Sequence, residues 1–71
     1  MNKFELQGDF IELIKLLKAI GIAENGGHAQ AIVTDGQVML NGEIETRKRA
    51  KIRIGDIIKV FGEEYEIINP D

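Results

Sequence analysis

Apolar positions recur along this chain with two different periods. Phe10, Leu13, Ile14, Leu17 and Ile20 follow the spacing of an α-helix with one buried face, and Ile11 and Leu16 widen that stripe. Asp9 stands where an N-cap belongs, with Glu12 three residues on as the capping-box partner. Gly21 is placed for a left-handed C-terminal cap. A second helix is predicted to start at Asn25 as N-cap, to bury Ala29, Ile32 and Val33, and to end at Gly36. Elsewhere the period is two. Lys3 to Leu6 alternate, and Gln7-Gly8 breaks the strand. Val38 and Leu40 point one way and Met39 the other. Asn41-Gly42 is a strong signal for a two-residue hairpin, because both turn residues must take positive φ. Glu43-Ile44-Glu45 returns. Lys51-Ile52-Arg53-Ile54 alternates again, with both isoleucines expected inside and both cations outside. Ile57 to Phe61 and Tyr65 to Ile68 follow, separated by turns at Gly55-Asp56 and Gly62-Glu63.

These elements predict a compact α+β domain over residues 1–71, with two N-terminal helices packed on a small, mostly antiparallel sheet. A chain of 71 residues holds one domain at most. There is no cysteine, so neither disulfides nor thiolate metal sites can brace the fold. The N-terminal residues lack the apolar core of a signal peptide, and no stretch approaches the ~20 apolar residues of a membrane span. The expectation is a soluble cytoplasmic protein with no membrane partner.

Charge changes the picture. The net charge is −3, but it is not spread evenly. Residues 1–46 hold three lysines against seven acids, and residues 54–71 hold one lysine against five. Between them Arg47, Lys48, Arg49, Lys51 and Arg53 stand with no acid among them. Local potential is therefore more informative than total charge. Such a run is ordinary solvated surface in many proteins. Here the alternation ties Lys51 and Arg53 to buried neighbours, which makes the array rigid. Rigid arginine forks and lysine point charges suit phosphate oxygens. Gly26 and Gly27 open the second helix although glycine weakens helices. Either this turn packs closely against the first helix, or its bare amides let a phosphate approach. Lys15 and Lys18 extend the same surface or serve as plain solubilising residues.

Catalytic chemistry is poorly provided for. His28 is the single histidine, no serine is present, and Thr34 and Thr46 lie in no recognisable nucleophile setting. The glycines form neither a GxxxxGK[ST] nor a GxGxxG loop. No cofactor is implied and no metal set is visible. A small enzyme would need a carboxylate-lined pocket that the sequence does not announce.

The order Leu16-Leu17-Lys18-Ala19-Ile20-Gly21, Glu24 to Gln30, Gly36 to Glu43, Glu45-Thr46-Arg47-Lys48-Arg49 and Gly55-Asp56 resembles the RNA-binding domain named after ribosomal small-subunit protein four, the "S-four" domain or alpha-L motif. The likeness spans roughly residues 10–61. It is similar above all to the small stand-alone bacterial members, which tend to carry the glycine pair. The ordered set GxVxxNGExExRxR followed by GD carries the likeness; each piece alone is weak. The resemblance implies a non-enzymatic protein that binds structured RNA, ribosomal or transfer RNA, in association with ribosomal particles. It implies binding through the two helices and the adjoining basic loop, where Arg47, Lys48, Arg49, Lys51 and Arg53 stand in this sequence. Gly26 and Gly27 would admit one phosphate, and Asn25, His28, Gln30 and Lys18 would add to the surface. The family segment opening the second helix commonly carries serine and arginine, which are absent here, so more of the binding falls to the basic run. The rival expectation is a protein-interaction module whose basic segment docks on an acidic protein partner.

Overall fold

The computed structural model describes residues 1–70. The chain runs β1 (Asn2–Glu5), β2 (Ile11–Glu12), α1 (Leu13–Ala19), α2 (Gly26–Thr34), β3 (Val38–Leu40), β4 (Glu43–Ile44), β5 (Lys51–Ile52), β6 (Ile57–Val60) and β7 (Glu63–Ile68). Five strands form one sheet in the order β1-β7-β6-β3-β4, with β1 parallel to β7 and the other pairs antiparallel. The helices pack on one face of it. Strands β2 and β5 form a separate antiparallel ribbon, with Ile11 opposite Ile52 and Glu12 opposite Lys51.

The core joins three layers of sequence. Leu13, Leu16 and Leu17 come from α1, and Ala29, Ile32 and Val33 from α2. Val38, Ile58, Val60 and Ile67 line the inner sheet face, and Ile52 joins them from the ribbon at 0% exposure. No polar or charged residue is buried among the described residues. For so small a domain this matters, since every buried position then contributes apolar transfer free energy with no desolvation cost.

Both helices end as the sequence predicts. In α1 the N–H groups of Gly21 and Ile22 donate to the carbonyls of Lys18 and Leu17 at 3.1 and 3.0 Å, with Gly21 at φ 81°. In α2 Gly36, at φ 75°, and Gln37 repeat the arrangement on Val33 and Ile32. These are Schellman caps, and the left-handed residue they need is glycine in each case. Asn41-Gly42 forms the expected hairpin turn at φ 50° and 87°. Asn41 also accepts from the N–H of Ile57 and donates to Asp56, which fastens this turn to the start of β6.

Three expectations need correction. Asp9 is not the N-cap of α1, because residues 11 and 12 are extended and pair with β5; the cap position is Glu12, at φ −68° and ψ 143°, and its side chain makes no cap bond. Phe10 is therefore outside the helix and 41% exposed rather than part of its buried stripe. The alternation of residues 51–54 also stops early. Asp56 accepts from the N–H of Arg53 and returns its own N–H to the Arg53 carbonyl, closing a turn that leaves Ile54 46% exposed.

The turn between β6 and β7 is less well matched to its sequence. Phe61 holds φ 52° while 58% exposed, beside a shallow groove lined by Ala31, Ile32, Thr34, Asp35 and Gln37. A left-handed conformation costs a non-glycine residue about 1–2 kcal/mol, and asparagine tolerates it best. Phe61→Asn is expected to raise stability by about 1 kcal/mol in urea unfolding. A fall in stability would mean that ring packing against α2 outweighs the backbone strain.

Candidate nucleic-acid interface

The start of α1 explains where the basic segment lies. The first amides of a helix have no carbonyl one turn back to bond. Here the N–H of Leu13 donates to the Ala50 carbonyl at 2.9 Å, and that of Ile14 to the Lys48 carbonyl at 3.1 Å. The backbone of residues 48–50 thus caps the helix. Ala50, buried at 4% exposure, and the fully buried Ile52 secure the same stretch from the core side. Arg47, Lys48, Arg49, Lys51 and Arg53 are all exposed on this fixed backbone.

Four of the five cations divide into two groups. Toward α2, the Lys48 ammonium donates to Gln30 Oε1 at 3.4 Å, and Arg49 stands exposed beside it in sequence. Gln30 lies one turn after Gly26, on the same side of α2. Lys48 is thereby joined to the helix face that the glycines open. Flanking the buried Ile52, Lys51 Nζ lies 4.9 Å and Arg53 Cζ 5.8 Å from the centroid of the Phe10 ring. Each such contact is worth about 0.5–1 kcal/mol at an exposed site.

Arg47 is the exception to the expected uninterrupted positive charge. Its Nε and Nη2 donate to the two carboxylate oxygens of Glu45 at 3.0 Å each, and its backbone N–H also donates to Glu45 Oε2 at 3.0 Å. The acid two residues upstream reaches it because the chain turns back on itself here. Hydrogen bonding from the Arg47 side chain, then from its backbone, holds the Glu45 carboxyl below the usual carboxylate range, and the same bond raises the Arg47 guanidinium. The Arg47 side chain remains 77% exposed, so its outer N–H groups still face solvent. Among the described residues the other four cations form no ion pair, although Glu12 sits opposite Lys51 in the ribbon.

The opening of α2 is shaped by side chains. Asn25 accepts from the N–H of His28 at 2.8 Å, and His28 Nδ1 accepts from the N–H of Glu24 at 3.1 Å. This reciprocal arrangement stands in for a capping box, with histidine in the place of glutamate. A Cβ on Gly26 would meet nothing within 4 Å, and one on Gly27 only Asn25 Oδ1 at 3.5 Å. Close packing against α1 is therefore not why the glycines are there; the turn is open. Lys18 lies in the last turn of α1, at the far end from the basic loop. Its side chain is exposed and, among the described residues, makes no hydrogen bond or ion pair with the other candidates.

Sequence reasoning missed Phe10 as a member of this surface. Its spacing fits the helical stripe, and only the pairing register reveals its place: continued by one residue, that register sets Phe10 opposite Arg53. The described residues contain no group of three or more histidine, aspartate or glutamate side chains placed to hold a metal, and no helix long and apolar enough to cross a membrane.

The S4 domain family model matches residues 4–68. The "Putative RNA-binding protein YbcJ" of Escherichia coli is 38% identical over 58 residues, covering 82% of this chain and 83% of that protein. The "Probable ribosome maturation protein RlbA" of Bacillus subtilis is 25% identical over 69 residues, 96% of this chain and 97% of that one. The solution structure of YbcJ, described as revealing an alpha-L motif involved in RNA-binding, superposes with a TM-score of 0.73 at 36% identity, over 96% of this chain and 87% of the other.

The Glu45–Arg47 pair generates a pH expectation. A carboxyl held low in the folded state contributes stability above its unfolded pKa and loses it as pH falls through the folded value. Its contribution should be complete at neutral pH and disappear below the ordinary glutamate range. Glu45→Gln should remove that part of the acid dependence in thermal melts between about pH 5 and pH 2. An unchanged acid profile would mean that the exposed pair adds nothing in solution.

Proposed function

The chain belongs to the S4 domain family, and on that premise we propose that it is a non-enzymatic RNA-binding protein that grips the phosphates of structured RNA. The observation that carries this reading is the fixed basic loop, capped onto α1 by backbone bonds and joined through Lys48 and Gln30 to the open, glycine-led start of α2. Lys48 and Arg49 make the principal contacts. Arg47 adds its outer N–H groups, and Lys51 and Arg53 extend the patch. The amides of Gly26 and Gly27, at the positive end of the helix dipole, receive one further phosphate oxygen. Asn25 Nδ2, His28 Nε2 and Gln30 Nε2 are the free donors beside it, and Lys18 is peripheral.

Shape rather than base sequence is what such an array reads, since arginine and lysine on a rigid backbone recognise where phosphates lie. The acidic segments on either side of the loop oppose binding elsewhere on the particle. The name of the Bacillus subtilis relative favours ribosomal RNA, or particles that contain it, over free transfer RNA.

Fluorescence anisotropy with deproteinised bacterial ribosomal RNA and with transfer RNA, at several salt concentrations, tests the reading. Log affinity should fall with log salt by about one unit per phosphate contact. Replacing both Lys48 and Arg49 by alanine should weaken binding at least tenfold and reduce the slope by about two. Glu45→Gln, which frees Arg47, should strengthen it. Salt-independent binding, or full affinity in the double variant, would count against RNA as the ligand. A protein partner retained from lysate after nuclease treatment would favour an acidic protein surface instead.

A further inference from the structure

We propose that Phe10 is a positioning residue of this interface: its ring holds Lys51 and Arg53 together, so that the end of β5 presents them to RNA as a preset pair. The inference rests on the RNA-binding reading above and adds a second, separately organised half to the grip.

A phenylalanine preceding an apolar helix is ordinarily core. Phe10 is 41% exposed, while Leu13, Leu16 and Leu17 just beyond it are fully buried. It therefore contributes less to the interior than its size allows. What it touches instead is charge. Extending the β2–β5 register by one residue places Phe10 opposite Arg53 and diagonal to Lys51, within reach of long side chains. The ring centroid lies 4.9 Å from the lysine ammonium and 5.8 Å from the guanidinium carbon.

Two cations gathered at one ring repel each other, and each gives up rotamer freedom. The negative face of the ring offsets both costs before any ligand arrives. Their backbones are fixed as well. Ile52 between them is fully buried, and the Arg53 N–H is bonded to Asp56 Oδ2 at 2.8 Å. Root and tip are both held, so less ordering remains to be done when phosphates bind. Lys48 is held by an amide oxygen and Arg47 by a carboxylate, whereas Lys51 and Arg53 form no ion pair among the described residues; Glu12, opposite Lys51, pairs with Lys15 at 3.9 Å.

The test compares wild type with Phe10→Leu, Phe10→Tyr and pentafluorophenylalanine at position 10, using the same ribosomal RNA. Pentafluorophenylalanine keeps the ring but reverses its quadrupole. The leucine and fluorinated variants should bind about fivefold more weakly, with a shallower salt slope, and the tyrosine variant should stay within about twofold of wild type. In the free proteins, NMR should show the Lys51 ε-methylene and Arg53 δ-methylene protons shifted upfield by the ring, and this shift should vanish in Phe10→Leu. Unchanged affinity in the fluorinated variant, or absent ring-current shifts in wild type, overturns the role of Phe10. If the Lys48/Arg49 double variant loses affinity in the same assay, the RNA reading survives that outcome. If wild type does not bind the RNA, both readings fall.

Discussion

Two backbone hydrogen bonds, from Leu13 and Ile14 to the carbonyls of Ala50 and Lys48, determine how the rest of this surface is arranged. Helix α1 begins without a side-chain cap, so its first amides would otherwise lose water without gaining a partner. The chain supplies the acceptors from a segment more than thirty residues later. A stretch dense in repelling cations would by itself be extended and mobile. Fastened at residues 48, 50 and 52, it becomes part of the fold, and its side chains radiate from a backbone that is already ordered.

The two helix starts consequently differ in what they offer. At α1 the amides are taken up by carbonyls of the basic loop, so that end is closed to an outside anion. At α2 the side chains of Asn25 and His28 brace the turn while Gly26 and Gly27 leave it uncovered. Lys48 connects the two regions through Gln30. Glu45 restrains the site, because its carboxylate occupies one edge of Arg47 and keeps the loop turned. Asp56 plays a different part. Its oxygens serve the Asn41 side chain and the Arg53 backbone, so it orders the basic strand end without engaging a guanidinium.

Much of this was legible in the sequence. The glycines after each helix, the Asn41-Gly42 turn and the leucine spacing of α1 declared themselves because each depends on local geometry. The cluster of cations was equally plain. What stayed hidden depends on contacts distant in the chain. Phe10 and Ile11 fit a helical stripe by spacing alone, yet the pairing of Ile11 with Ile52 and of Glu12 with Lys51 keeps this stretch extended and out of the helix. Ile54 fits a strand by alternation, yet the Asp56 carboxylate closes a turn beneath it. Residues 45 and 47 would share a face in a strand, so spacing alone does not say whether they pair; the bond from the Arg47 backbone N–H to the Glu45 carboxylate, added to the two from its guanidinium, fixes them together here.

Native-state amide hydrogen exchange at Leu13 and Ile14 tests the central claim most directly. If the basic loop caps α1, both amides should exchange roughly a hundredfold or more slowly than in an unfolded chain, despite being the first two of their helix. Exchange at the rate of an uncapped, fraying helix end would show that the loop is not fastened there in solution, and the rigid cationic surface would have no foundation.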